Sequence, residues 1–262
     1  MRKLLEELTI SSSGDAPTVG IGLDSAVVPL RHKGLFLVQT TDFFYPLIDD
    51  PFIMGRITCA NVLSDLYAMG VTQCDNMLMI LAFCQKMSQL ENEVVFGLII
   101  KGFKDAAEEA GTKITGGQTV KNQVPIMGGV ATSVCSKDEF IIRLMLKHKA
   151  HAATDITGFG LLGHSQNLCS AQVDAVDFVI HSLPMLKHSI AIDQVFNNMF
   201  KLKEGYSAET SGGLFICLPK DDSEEFISDF KLLTGYDAYI IGDVVSGQRI
   251  SRLSESIQYQ EV

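Results

Sequence analysis

From about Val19 onward, apolar and polar positions divide the chain into alternating strand-like and helix-like stretches. Leu35 to Phe43, LFLVQTTDF, opens as a nearly continuous apolar run and closes on Thr-Thr-Asp, the pattern of a buried strand whose end opens into a site. Gly55 to Gly70, GRITCANVLSDLYAMG, sets Ile57, Ala60, Leu63, Leu66 and Met69 at helical spacing, with Gly70 as the stop. On that helix Asn61 and Asp65 stand four residues apart and share a face. Glu91 to Gly111 repeats the logic: Val95, Leu98, Ile99, Phe103, Ala106 and Ala110 form the apolar stripe and Gly111 the stop. TKITGGQTV, Thr112 to Val120, reads as a strand running into Gly116, Gly117, Gln118 and Thr119.

A second α/β unit follows. GLLGHSQNL reads as helix, DFVIHSL as strand, and Pro184 suits the first position of another helix. Asp222 with Glu225 three residues on gives DDSEEFISDFKLL a capping-box-like start, Gly235 follows its end, and YIIGDVV closes as a strand. Two strands headed by Gly-Gly, Gly128 to Cys135 and Gly212 to Pro219, fall one in each half and hint at two similar units. The stretch between the halves, SKDEFIIRLMLKHKAHAATD, has no Gly or Pro punctuation, and the boundary is placed near 140–150, giving domains 1–143 and 147–262.

A length of 262 residues, 47% of them hydrophobic, with no low-complexity tract, suits two medium domains. The formal charge of −10 has the wrong sign for a general nucleic-acid or anionic-membrane binder, so a chain of this kind that handles phosphates needs metal ions as intermediaries. Met77 to Cys84, the longest apolar run, is too short to span a bilayer, and Glu6 and Glu7 stand where a secretory signal would be apolar. The expectation is a cytoplasmic protein with neither nucleic acid nor membrane as partner. The six cysteines are scattered without CxxC or Cys/His clustering, which argues against a zinc site and a disulfide framework and for buried free thiols.

Carboxylates with small neighbours recur: Asp24 in GIGLDSAVV, Asp42 in QTTDFF, Asp65 in NVLSDLYAMG and Asp155 in TDITGFG. Small residues admit a ligand to the backbone, and grouped carboxylate oxygens suit a hard cation such as Mg2+. Each acid also has a plainer reading: Asp24 in a turn, Asp42 in a strand-terminal turn, Asp65 on a solvated helix face, Asp155 as a helix N-cap. Pattern alone balances the two. Gly116 to Thr119 is either a phosphate cradle or a tight turn between strands, without the spacing of a P-loop or a Rossmann site. ETSGGLF, Glu209 to Phe215, favours the structural reading, and His151 and His164 read as surface or packing residues.

Taken together and in order, GIGLDSAVVPL, VQTTDFFYP, GRITCANVLSDLYAMGVTQCDNMLM, GFKDAAEEAGTKITGGQTV, GGVATSVC, HAATDITGFGLLGHSQNL and ETSGGLFICLP closely resemble the selenophosphate synthetase (selenide, water dikinase) family, animal type. That family belongs to the superfamily of aminoimidazole ribonucleotide synthetase, thiamine-monophosphate kinase and the hydrogenase maturation dehydratase. The resemblance implies a two-domain α/β (α+β) fold. In it the N-terminal domain pairs across a dimer into a β-barrel, and the C-terminal α/β domain is here shortened. It further implies ATP held between the domains through Mg2+, with Asp24, Asp65 and Asp155 as metal ligands. Gly22, Leu23 and Asp42 would contact the nucleotide, and Gly116, Gly117, Gln118 and Thr119 the phosphates. The implied reaction turns ATP, selenide and water into selenophosphate, AMP and phosphate, in a homodimer or a heterodimer with a family member.

Two departures accompany the resemblance. The family carries, upstream of GIGLD, a glycine-rich segment with a catalytic Cys or selenocysteine and a Lys; here Lys3 is the only lysine before Asp24 and the first cysteine is Cys59, so no catalytic residue is assigned. A stretch that the family has between EFI and HAATD is also absent. These departures raise a second expectation, a catalytically impaired ATP- and Mg2+-binding regulatory or dimerisation partner, and with it apolar surface left open in the shortened domain.

Overall fold

The computed structural model describes residues 24–136 and 147–262, and the chain divides into two units, Met1–Ile142 and Arg143–Val262. The first unit is built on one open five-stranded sheet in the order β1-β2-β5-β3-β4. Its strands are β1 (Ala26–Pro29), β2 (Leu35–Phe44), β3 (Asn76–Cys84), β4 (Ile114–Asn122) and β5 (Ile126–Ser136). All neighbours run antiparallel except β3 and β4, which are parallel. Helix α1 (Pro51–Ala68) lies on β2 and β5, and α2 (Gln89–Glu109) lies against α1. Strand alternation then sorts the side chains. Val38, Met77, Met79, Met127 and Ala131 are buried on the helix side, whereas Phe43, Val120 and Val134 on the other face are exposed, Phe43 by 62%.

Both helices begin where side chains satisfy their free N–H groups. The Asp50 carboxylate accepts from the N–H of Phe52 and Ile53 at 2.9 and 3.0 Å ahead of α1, with Pro51 in the first turn. Ser88 and Glu91 form a full capping box on α2. Gly70 and Gly111 end them in the left-handed region, φ +77° and +74°. The buried stripes differ from those expected. On α1 the covered residues are Met54, Gly55, Thr58, Cys59, Asn61, Val62, Leu63, Leu66 and Ala68, while Ala60 is exposed, because the sheet and α2 cover the helix from two sides. Thr58 tolerates this by donating its hydroxyl to the Met54 carbonyl at 2.8 Å.

In the second unit β6 (Ala152–Asp155) pairs antiparallel with β8 (Leu214–Cys217). A separate sheet centres on β7 (Val176–Met185), parallel to β10 (Ser251–Glu261) and antiparallel to β9 (Gly242–Ser246). Helices α3 (Gly160–Ser170), α4 (Ser189–Val195) and α5 (Ser223–Thr234) complete it, around a core that includes Leu162, Cys169, Phe178, Ile180 and Phe215. An apolar cavity of about 1020 Å³ lies among Phe178, Ile180, Phe215, Phe226 and Ile241. Pro184 corrects the expectation of a helix start: it sits inside β7 opposite Gln260, beyond Ile180 where pairing with β9 ends, so its missing N–H removes no bond to β9. The expected capping box of α5 does not form either. Asp222 occupies the cap without a cap bond and instead accepts from Lys149, and Glu225 pairs with Lys147. All six cysteines are buried, and none is in a disulfide.

Helices α1 and α2 meet backbone to backbone. A Cβ added at Gly102 would lie 1.9 Å from the Phe52 carbonyl oxygen, and one at Gly55 2.1 Å from that of Ile99. Overpacking of this kind costs about 1–3 kcal/mol, whereas Ala for Gly in a helix gains at most about 1 kcal/mol. Gly102→Ala is therefore expected to lower the thermal midpoint followed by circular dichroism by several degrees. Gly97→Ala, on the same helix with nothing within 4 Å, is expected to raise it. Equal shifts in both variants would refute the crossing.

Candidate functional site

Asp65 is the pivot of the first unit's polar cluster. Thr40, buried on the helix side of β2, donates its hydroxyl to the Asp65 carboxylate, and the buried Ser25 hydroxyl donates to the Asp65 carbonyl at 3.1 Å. Asp24 immediately precedes Ser25, and Asp42 follows Thr40 by two residues on the same face of β2. Asn61, buried, sits one turn before Asp65. Asp24, Asp42 and Asp65 are each half-buried, and the Thr40 and Ser25 bonds tie Asp65 to the strand that bears Asp42 and to the segment that bears Asp24. Every donor there is an oxygen, the set that fits a hard cation. Thr40 and Ser25 were not among the residues singled out in the sequence; the polar Thr-Thr-Asp end of β2 was the available signal.

Gly116 to Thr119 are placed differently from the expectation. They lie within β4 rather than in a loop or turn, and residues 115–121 are exposed. The register with β3 slips between Met77 and Leu78, leaving Thr115 as the extra residue of a bulge. Gly117 is glycine for a local reason: at φ +152° an added Cβ would stand 1.9 Å from the Met79 carbonyl oxygen. The cross-sheet row Thr41, Val130, Leu78, Gly116 puts three strand spacings, about 14 Å, between β2 and β4. Within one chain the fold does not bring Gly116–Thr119 to Asp65. Gly22 and Leu23 lie outside the described residues.

In the second unit Asp155 is not a helix cap. It ends β6 opposite Leu214, is 2% exposed, and is separated from α3 by a turn whose cap position, Phe159, makes no side-chain bond. That turn is clamped from two directions. Ile156 N–H donates to the Gly213 carbonyl and Glu209 N–H to the Thr157 carbonyl, both at 3.0 Å. A Cβ at Gly212 would meet the Ile156 oxygen at 2.0 Å, a local structural reason for glycine there. From the other side His164 Nε2 accepts the Phe159 N–H at 3.4 Å and bonds the Thr157 hydroxyl at 3.1 Å. His164 is thus a buried anchor for the Asp155 turn, its ring nitrogen within 4.8 Å of an Asp155 oxygen.

Residues 22–135 match the family described as AIR synthase related protein, N-terminal domain, and residues 136–253 the corresponding C-terminal domain. These two matches and the fold define a two-domain protein of the AIR-synthase-related class. The chain is 46% identical over 314 residues to selenide, water dikinase 2 of Mus musculus, an alignment covering 94% of this chain and 69% of the relative. Probable selenide, water dikinase of Caenorhabditis elegans is 42% identical, with 87% and 78% covered. The chain belongs to the selenide, water dikinase family. The mouse alignment is longer than the 262-residue chain itself, so the relative carries residues with no counterpart here. Among solved structures, thiamine-monophosphate kinase from Stenotrophomonas maltophilia shares the fold at a TM-score of 0.64 and 17% identity, covering 96% of this chain and 94% of that one. The hydrogenase maturation protein HypE of E. coli does so at 0.62 and 13%, covering 83% and 82%.

Burial pushes the His164 pKa below its ordinary 6.5, with the nearby Asp155 carboxylate opposing the shift. The unfolded chain then binds more protons than the folded one below about pH 6.5, so this residue's contribution to stability is lost as the pH falls through that range and is constant above it. A ring-proton NMR titration of His164 is expected to give a midpoint under 6.5. A midpoint at or above that value contradicts the buried, accepting ring.

Proposed function

We propose that the protein is an ATP-dependent phosphotransferase that makes selenophosphate from selenide, ATP and water in the cytoplasm, for selenocysteine synthesis. The observation that carries this reading is the Thr40–Asp65–Ser25 junction, which ties Asp65 to the strand that bears Asp42 and to the segment that bears Asp24, in a chain 46% identical to a selenide, water dikinase. An ensemble this acidic repels a triphosphate. Mg2+, when bound, supplies the neutralising charge and polarises the transferring phosphoryl group. In this reading Asp24, Asp65 and Asp155 are the Mg2+ ligands, and Asp42, with Gly22 and Leu23, contacts the nucleotide. Thr40 holds the Asp65 carboxylate in one rotamer, so the ligand is oriented before binding and less entropy is lost on binding.

Gly116, Gly117, Gln118 and Thr119 present exposed backbone and side-chain donors suited to phosphate oxygens. Since about 14 Å separates β4 from β2, they serve the nucleotide of a second copy, and the open apolar face with Phe43, Val120 and Val134 is where a homodimer, or a heterodimer with a family member, closes.

Calorimetric titration with a non-hydrolysable ATP analogue is expected to show binding only with Mg2+, weakened at least tenfold by Asp65→Ala and several-fold by Thr40→Val. Binding indifferent to Asp65→Ala would sink the site. The purified chain is expected to form AMP in a selenide-dependent reaction. For the shared site, chains carrying Asp65→Ala and chains carrying Gln118→Ala with Thr119→Ala are each expected to bind poorly alone and to regain binding when mixed. No recovery on mixing would place β4 elsewhere.

A further inference from the structure

The second unit holds another cluster of potential metal ligands. Glu225 and Asp229 stand four apart on one face of α5, and His148, 2% exposed, meets them from the chain leading into β6. His148 Nε2 lies 2.9 Å from Asp229 Oδ2, and its ring is fixed edge-on against Phe226 at 5.6 Å between centroids. One donor atom from each of His148, Glu225 and Asp229 falls within 4.8 Å of the other two. A second observation shows that this spot favours positive charge. The Lys147 ammonium sits on both carboxylates, 3.3 Å from Glu225 Oε1 and 2.5 Å from Asp229 Oδ2.

We propose that His148, Glu225 and Asp229 form a binding site for a borderline divalent cation of the Zn2+ class, which enters by displacing the Lys147 ammonium. The donor set, one imidazole nitrogen and two carboxylate oxygens, leaves the fourth position of a tetrahedral ion to water. Bonds of about 2.0–2.2 Å put the donors of a tetrahedral ion roughly 3.4 Å apart, so His148 Nε2 and Asp229 Oδ2, 2.9 Å apart, part slightly and Glu225 adjusts its reach. Glu225, with 64% of its side chain exposed, is free to make that movement, and Lys147, 53% exposed, is free to swing into solvent. The buried His148 and the half-covered Asp229 supply the preformed part. This chemistry differs from the all-oxygen set around Asp65, so the two sites select different metals. It also involves no cysteine, which is why cysteine spacing said nothing about it. Bound there, the ion ties the chain at Lys147–Lys149 to α5 more firmly than one ammonium does, and the second unit's stability follows zinc concentration by mass action.

The test uses the full chain in excess Mg2+, titrated with zinc chloride by calorimetry and with cobalt(II) by absorption. One zinc per chain is expected, weakened at least tenfold by Glu225→Gln and by Asp229→Asn, and tightened several-fold by Lys147→Gln, which removes the competing charge. The cobalt adduct is expected to lack a thiolate charge-transfer band. Zinc is expected to raise the thermal midpoint of the parent chain but not of Glu225→Gln, a surface change that leaves the fold and Mg2+–nucleotide binding intact. Absence of zinc binding, a thiolate band, or binding equal in the parent, Glu225→Gln and Lys147→Gln chains would overturn the proposal.

Discussion

The arrangement of the first unit depends on a contact that admits no side chain. Where α1 crosses α2, Gly55 and Gly102 let each helix rest on the other's carbonyl oxygens, and this sets how deeply α1 sits on β2 and β5. From that seat Asp65 meets the Thr40 hydroxyl, and its carbonyl meets Ser25. The ion pairs of Arg56 with Asp105 and Glu109 bridge the same two helices at their exposed rim. Exposed pairs contribute about 0–1 kcal/mol, less than the cost of a clash at either glycine, so shape rather than charge fixes the helix that carries the pivotal carboxylate.

The two Gly-Gly pairs, inside β5 and just ahead of β8, have a common physical use. Gly128 in β5 brings that strand against the Asp42 carbonyl, where an added Cβ would stand 2.2 Å away, and Gly212 ahead of β8 does the same against Ile156, the residue after Asp155. In each unit a glycine presses a neighbouring backbone onto the segment that bears a candidate ligand. The similarity of the halves, suggested by a few letters, thus corresponds to one way of holding an acid at a strand end without a side chain intervening.

Elements whose environment is uniform along their length were readable from the sequence. β2, β5, α1 and α2 were recognisable as elements, though the buried stripes of the helices were not, and Gly70 and Gly111 mark the helix ends in the conformation that makes glycine useful there. The family likeness was equally legible, because the motifs around the acids stand in order. Distant contacts decided the rest. Asp155 looked like a cap because it precedes a helix, but pairing with Leu214, some sixty residues on, makes it the end of a strand. Gly116-Gly117 looked like a turn, but the approach of Met79 and a bulge at Thr115 keep it in β4. β10 passed unseen: Glu255 interrupts its alternation, and its register with β7 shifts between Leu253 and Gln258, so no clean period of two survives. His148 was unreadable as part of a cluster, since its partners lie about eighty residues away on α5.

β4 gives the first unit a built-in gradient of order. Among the described residues it is an edge strand, bonded to β3 alone, with residues 115–121 all exposed and two adjacent glycines, Gly116 and Gly117. Among the described residues, only the pairing with β3 offsets the entropy lost in straightening those residues. Its amides therefore belong to the first part of the sheet to open to solvent exchange, well before β5 at the centre. A strand in that condition is ordered largely by whatever it touches, so ligand affinity measured there includes the free energy of completing the sheet.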